Sequence, residues 1–360
     1  MSRFHKVKIK RITKETPDCV TLSLDVPIEL RETFRYTQGQ YLTFRREHNG
    51  EELRRSYSIC SSPLDNEWQV AIKKVPEGRF SSLAVENLRV GEELEVMPPA
   101  GRFFTELHPA NTKHYVAFAA GSGITPVFSI VKTVLLTEPN SRVTLIYGNR
   151  GRNSIIFKEA IEALKNKFLR RLSVYHILSR EQGDTDLFFG RIDEAKTQQF
   201  LGKILPPEQI DECFICGPEE MIHGVRAALT DAGVAAEKIH FEMFTSAASG
   251  ARKQAGPVQT HIAGQDDKHS QVTVKLDGST QVLEMSYYGN TILDAVLETG
   301  ADAPYSCKNG MCSTCRARVT EGQAEMDVNY SLSETEVAKG YILTCQARPT
   351  SEKVIVDFDQ

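Results

Sequence analysis

Four of the eight cysteines in this 360-residue chain fall in its last fifth, as Cys307, Cys312, Cys315 and Cys345. Their spacing is C-x4-C-x2-C, with 29 residues before the fourth cysteine. Thiolates are soft ligands for iron and zinc, and this spacing suits a [2Fe–2S] cluster. A tight loop must wrap three sulfurs around a compact core while backbone N–H groups point at them. Gly310 and the small Ser313 and Thr314 permit that approach. A four-cysteine zinc site is the alternative, but such sites usually pair two C-x2-C units, and only one stands here. In a reducing compartment clustered cysteines bind metal rather than form disulfides. Cys19, Cys60 and Cys213 stand apart and read as small buried apolar residues.

Three other groups could bind anionic or planar ligands. Gly121-Ser122-Gly123-Ile124-Thr125-Pro126 follows the apolar run HYVAFAA and precedes a helical pattern. A strand–turn–helix of this kind aims helix N–H groups at a pyrophosphate, although Pro126 stands where a third glycine is usual. Cys216-Gly217-Pro218 ends the strand run ECFICG, at a sheet edge where ligands bind. Arg55-Ser56-Tyr57-Ser58 lies in a strand and Gly78-Arg79-Phe80-Ser81 at a later turn. Taken singly, the R-x-Y-S, G-x-x-S and C-G-P residues read more readily as structural, and a lone G-x-G is weak evidence.

The elements that must position these residues divide into three parts. Residues 1–110 alternate short β-branched and apolar runs (VTLSLDV, YLTFRR, RSYSICSS, WQVAIKKV, ELEVMPP) with turn residues, which predicts an antiparallel β-barrel. Residues 111–245 alternate strand and helix patterns, which predicts a parallel-sheet α/β domain with helices on both faces. In SIIFKEAIEALKNKF, Ile156, Ala160, Leu164 and Phe168 fall four apart, with Ile161 widening the face. Beyond ECFICG, Pro218 suits a first helical position, Met221, Val225 and Leu229 form a stripe, and Gly233 stops the helix. Residues 246–268 lack any period and read as a flexible linker. Residues 269–360 carry two strand runs, a helix pattern and the cysteines, with 7 Lys/Arg against 13 Asp/Glu. That excess is ordinary solvation or an acidic face for a basic partner.

The whole chain has a net charge of −4 and 41% apolar residues, a globular balance that argues against a general nucleic-acid or membrane-surface binder. MSRFHKVKIKR lacks the apolar core of a secretory signal. The uncharged run from Tyr115 to Val131 is punctuated by Gly121, Gly123 and Pro126. A cytoplasmic protein is expected.

PYSCKNGMCSTCRARVTEG and YILTCQARP resemble the cluster loop and last-ligand segment of plant-type ferredoxins, over nearly all of residues 269–360. That resemblance implies a β-grasp fold and Cys307, Cys312, Cys315 and Cys345 as ligands. The order R-x-Y-S, G-x-x-S, G-S-G-I-T-P, C-G-P over residues 1–245 resembles the ferredoxin–NADP reductase superfamily. The resemblance implies that Arg55 pairs with the flavin diphosphate, Tyr57 packs on the isoalloxazine and Ser58 lies near its reactive nitrogen. Gly78 and Ser81 would offer N–H and hydroxyl donors to the phosphates. Gly121, Gly123, Thr125 and Pro126 would cradle the nicotinamide pyrophosphate. Cys216, Gly217 and Pro218 would lie beside the nicotinamide, with Ser58 and Cys216 as the catalytic pair. Plant members end near the sequence FEMF on a tyrosine that covers the flavin; here Phe244 is the candidate and the chain continues.

The module order resembles the reductase components of multicomponent bacterial oxygenases. It implies electron flow from NAD(P)H through flavin and [2Fe–2S] cluster to an oxygenase, with a diiron enzyme as the expected partner. A hydride carries two electrons and the cluster accepts one, so a flavin must stand between them. FAD is favoured over FMN by the resemblance. Reductases of ring-hydroxylating dioxygenases share the order, and a redox sensor is a further alternative, though no output motif supports it. Arg150 and Arg152 follow the strand RVTLIYG, where the adenosine ribose should lie, and no acidic residue is expected there to take a 2′-hydroxyl, which predicts NADPH, with NADH possible.

Overall fold

Alternation of charged and apolar residues in HKVKIKRITKET makes a first strand that turn signals alone do not reveal. The computed structural model describes residues 4–48, 50–182, 185–244 and 268–360, so the linker expected at 246–268 lies outside the described residues except for Lys268. That first strand, β1 (His5–Thr16), buries Val7 and Ile9 and leaves its lysines outward. It joins β2 (Cys19–Asp25), β3 (Tyr41–His48), β4 (Glu51–Ser58), β5 (Trp68–Lys73) and β6 (Glu93–Val96). The sheet order is β4-β3-β6-β1-β2-β5. Immediately after β4, Ile59 bridges to Val70 of β5, which curls the sheet on itself. The interior holds Leu22, Leu42, Phe44 and Ile72, each contributing roughly 1.5–3 kcal/mol by leaving water. Where only a turn was expected, helix α1 (Arg79–Glu86) forms and inserts Phe80 and Ala84 into this core.

The strand–helix alternation folds into five parallel strands: β7 (His114–Ala120), β8 (Arg142–Asn149), β9 (Leu172–Leu178), β10 (Glu212–Gly217) and β11 (Ile239–Met243). Their order is β11-β10-β7-β8-β9. The winding reverses between β7 and β10, the position at which doubly wound sheets bind ligands. Helices α2 (Ile124–Thr137), α3 (Lys158–Lys167), α4 (Glu194–Lys203) and α5 (Glu219–Asp231) connect the strands.

Two helix expectations need correction. Phe157 takes a left-handed φ of 60° and stacks on Phe128 at 5.0 Å, so α3 starts only at Lys158. The buried face is then Ile161 and Leu164, while Ala160 is exposed. Pro218 is the cap before α5 rather than its first residue, although Met221, Val225 and Leu229 are buried as the pattern requires. Gly233, with φ +86°, ends that helix.

Apart from residues 54–56, barrel and parallel sheet form one compact unit. Nearly every residue of α2 is buried, and Cys19, Cys60 and Ala71 of the barrel share a core with Ile124, Val127 and Phe128. Ser129 Oγ donates to the Ser61 carbonyl at 2.6 Å, and Lys132 Nζ to Asp65 at 2.7 Å. The burial of Cys19, Cys60 and Cys213 agrees with their reading as packing residues.

The C-terminal residues form a separate unit. Its sheet contains β12 (His269–Leu276), β13 (Ser279–Ser286), β14 (Arg316–Glu321), β16 (Tyr341–Leu343) and β18 (Lys353–Asp357), ordered β13-β12-β18-β14-β16. A hairpin-like pair adds β15 (Ala324–Met326) and β17 (Ala347–Pro349). Helix α6 (Ile292–Glu298), capped by Thr291 Oγ1 accepting from Asp294 N, buries Ile292, Leu293 and Val296 against this sheet. Helix α7 (Glu334–Ala338) starts with a capping box from Ser333 and Glu336. Among the described residues no helix is long and apolar enough to cross a membrane.

Candidate functional site

Strand alternation places Arg55 and Tyr57 on one face of β4 and Ser58 on the other. Arg55 is exposed and donates from Nη1 to the Arg54 carbonyl at 2.6 Å, leaving further guanidinium donors for a ligand. Tyr57 is half-buried, its ring 5.6 Å from Phe80 of α1. An ion pair between Arg79 and Glu51 also joins α1 to β4. The two sequence motifs of the barrel therefore adjoin.

Gly78 is the N-cap of α1, and no side chain caps the helix there. The first-turn N–H groups are donors suited to an anion such as a flavin diphosphate. A Cβ on Gly78 would come within 2.3 Å of Ser81 Oγ, so the turn requires glycine. The Ser81 hydroxyl already donates to the Gly78 carbonyl at 3.1 Å. That bond helps shape the turn.

At the reversal of the parallel sheet, Gly121–Gly123 forms a single 3-10 turn between β7 and α2. Gly121 adopts φ +54° and its carbonyl accepts from Tyr147 OH at 3.0 Å. Thr125 Oγ1 closes the turn on the Ser122 carbonyl at 3.0 Å. Pro126 falls in the first turn of α2, where its missing N–H costs no helical bond. A Cβ on Gly123 would lie 2.1 Å from the Cys216 carbonyl oxygen. The G-S-G and C-G-P segments, far apart in sequence, are in backbone contact. Gly217 faces the flexible Met221 side chain and the Ala120 Cβ, and Pro218 lies exposed just before α5.

Cys216 is fully buried, and burial, with Glu242 nearby, holds its thiol well above the ordinary value. It pairs in register with Glu242 of β11, so the two side chains leave the sheet on the same side. Ser58, itself buried, donates to Glu242 Oε2 at 3.3 Å. Burial pushes the Glu242 carboxyl up to about 8, against the pull of that hydrogen bond. Ser58, Cys216 and Glu242 thus converge where the barrel meets the sheet. Phe244, half-buried just beyond, packs against the shared core.

In the C-terminal unit Cys307 and Cys312 are half-buried, and Cys315 and Cys345 buried. The thiols associate as Cys307 with Cys312 and Cys315 with Cys345. Among the described residues no group of three or more metal-binding side chains surrounds a single point. Two pairs of thiols suit a two-iron cluster better than a lone zinc ion. The Cys312 thiol and the N–H groups of Asn309, Met311 and Cys312 hold the Cys307 thiol below its ordinary value. Lys308, Gly310 and Ser313 all take positive φ, and Gly310 sits 3.1 Å, by a notional Cβ, from the Val328 carbonyl. Such a loop turns its N–H groups inward.

Residues 6–105 match the family of oxidoreductase FAD-binding domains, 118–227 that of oxidoreductase NAD-binding domains, and 274–350 that of 2Fe-2S iron-sulfur cluster binding domains. The chain is 42% identical to one of the subunits of 1,2-phenylacetyl-CoA epoxidase from Escherichia coli (strain K12), over 100% of this chain and 99% of that protein. The chain belongs to the oxygenase reductase family. It is also 36% identical to the ferredoxin reductase component of 3-ketosteroid-9-alpha-monooxygenase from Rhodococcus rhodochrous, covering 99% of this chain and 97% of the other. The fold of phthalate dioxygenase reductase superposes with a TM-score of 0.58 at 21% identity, over 99% and 98% of the two chains.

Two residues of the reductase site are not evident from sequence. Glu242 lies within the FEMF segment, but nothing local tells that its strand neighbours Cys216. Glu181 corrects the expectation that no acidic residue stands beside the arginines. Its Oε1 accepts from Arg152 N at 3.0 Å, and its Oε2 lies 3.8 Å from Arg152 Nε. A Cβ on Gly151 would meet that carboxylate at 2.1 Å. Arg150, exposed, accepts at its carbonyl from Arg180 N at 2.9 Å. The pairing of β8 and β9 past their ends brings residues 150–152 and 180–181 together.

Proposed function

We propose that this reductase takes electrons from NADPH and delivers them, through FAD and a [2Fe–2S] cluster, to the diiron subunits of a phenylacetyl-CoA epoxidase. The observation that carries the hydride half is the convergence of Ser58, Cys216 and Glu242 beside the G-S-G turn. The 42% identity to a component of that epoxidase, over the full chain, supports the acceptor. The domain limits read from the sequence, 1–110, 111–245 and 269–360, serve as the working division.

A bound flavin accepts two electrons as a hydride and releases them singly. In this reading Arg55 and the uncapped N-terminus of α1 hold its diphosphate, and Gly78 admits that approach. Tyr57 flanks the ring and Phe244 covers it. Gly121, Gly123, Thr125, Cys216, Gly217 and Pro218 form the floor on which the nicotinamide half rests. The buried Ser58 and Cys216 exclude water from the reacting face, and Glu242 keeps its proton at neutral pH, so no carboxylate charge opposes the transfer. Arg150 and Arg152 supply positive charge for a 2′-phosphate. Cys307, Cys312, Cys315 and Cys345 would hold the cluster, which passes on one electron at a time.

The test is NADPH oxidation with the diiron epoxidase components and phenylacetyl-CoA, against a ring-hydroxylating oxygenase with its own substrate. Oxidation that depends on the epoxidase supports the reading. Equal coupling to the ring-hydroxylating enzyme, or coupling to that enzyme alone, overturns the choice of acceptor.

A further inference from the structure

The residue after Cys345 reaches back across the three-cysteine loop. Gln346 Nε2 donates to the Lys308 carbonyl at 2.9 Å and to the Cys345 carbonyl at 2.9 Å, and lies 3.8 Å from Cys345 Sγ. Its Cγ would stand 3.2 Å from a Cβ on Gly310, so its stem packs directly over the loop. The backbone of Gln346 is fixed too, its N–H donating to Leu343 at 2.8 Å and its carbonyl accepting from Asp327 N at 2.9 Å. One amide N–H is therefore committed to the loop, and the other is shared between the carbonyl and sulfur of Cys345.

An N–H aimed at a thiolate stabilises the reduced, more negative cluster more than the oxidised one, which raises the reduction potential. We propose that Gln346 is a positioning residue that latches the Cys307–Cys315 loop to the Cys345 segment and raises the potential of the cluster through Cys345 Sγ. The proposal rests on the reading of Cys345 as a ligand.

The experiment is a redox titration of the full chain followed by electron paramagnetic resonance, with iron content and the visible spectrum measured on the same samples. Gln346→Met keeps the stem over Gly310 and removes both N–H groups. Its cluster should be harder to reduce by about tenfold in the equilibrium constant, which for one electron is about 59 mV. A loaded variant with the parent's potential overturns the proposal. A parent chain with no [2Fe–2S] spectrum overturns instead the ligand reading beneath it. Should Gln346→Met not retain iron, the parent labelled with ε-15N glutamine settles the matter. Nitrogen coupling to the reduced cluster is expected, and its absence counts against the sulfur contact.

Discussion

Ser58 donates its hydroxyl hydrogen to Glu242 across 3.3 Å, and so joins the end of barrel strand β4 to the last strand of the parallel sheet. The same glutamate pairs in register with Cys216. A carboxyl with few waters around it favours its neutral form.

That environment has a sign in pH. The Glu242 carboxyl titrates at about 8 in the fold against 4.5 ordinarily, so its contribution to stability is full below about pH 4.5 and is lost as pH rises through about 8. Glu242→Gln, neutral at every pH, should remove this part of the decline. Melting temperatures of parent and variant across that window provide the check, and parallel curves would refute the raised carboxyl.

Gly123 meets the Cys216 carbonyl so closely that a methyl group at 2.1 Å forces the two segments apart. Gly123→Ala should destabilise the barrel and sheet unit by about 1–3 kcal/mol. It should also raise the KM for NADPH, if both displaced segments line the nicotinamide floor as proposed. An unchanged melting temperature together with a parent-like KM would show that the turn yields without cost.

Arg152 and Glu181 should act on the dinucleotide in opposite directions. An exposed ion pair is worth ~0.2–1 kcal/mol, which corresponds to about 1.5–5-fold in a rate ratio. Arg152→Ala should lower the ratio of kcat/KM for NADPH over NADH by that order, and Glu181→Gln, which removes the anion beside the arginine, should raise it. A preference for NADH in the parent would dispose of the assignment of both arginines.

Cys315→Ala removes one of the four thiolates. The flavin and nicotinamide domains belong to a different compact unit with its own core, so NADPH–ferricyanide activity should persist. Cytochrome c reduction and oxygenase-coupled turnover should fall by about an order of magnitude or more, since these acceptors draw on the cluster. The visible spectrum should retain only flavin. If the spectrum instead matched the parent, Cys315 would not be a ligand.

Features local to the chain were enough to anticipate a flavin-binding, a nicotinamide-binding and a [2Fe–2S] part, which the three family matches bear out. Cysteine spacing, the G-S-G turn after an apolar run and the alternation of strand and helix are set by reach along the chain and by residue size. The left-handed turn at Gly121 and the stop at Gly233 were legible because glycine takes a positive φ without the clash a side chain would bring. Other features depended on which strands became neighbours. Strand order set β10 between β7 and β11, and only that order puts Cys216 beside Glu242 and against Gly123. The continued pairing of β8 and β9 made Glu181 face Arg152, 29 residues earlier. The left-handed turn at Phe157 came from stacking on Phe128, which moved the start of α3 and exposed Ala160. Hydrophobic periodicity records which face of an element is buried but not which element covers it, so contacts between distant segments were settled by packing in three dimensions.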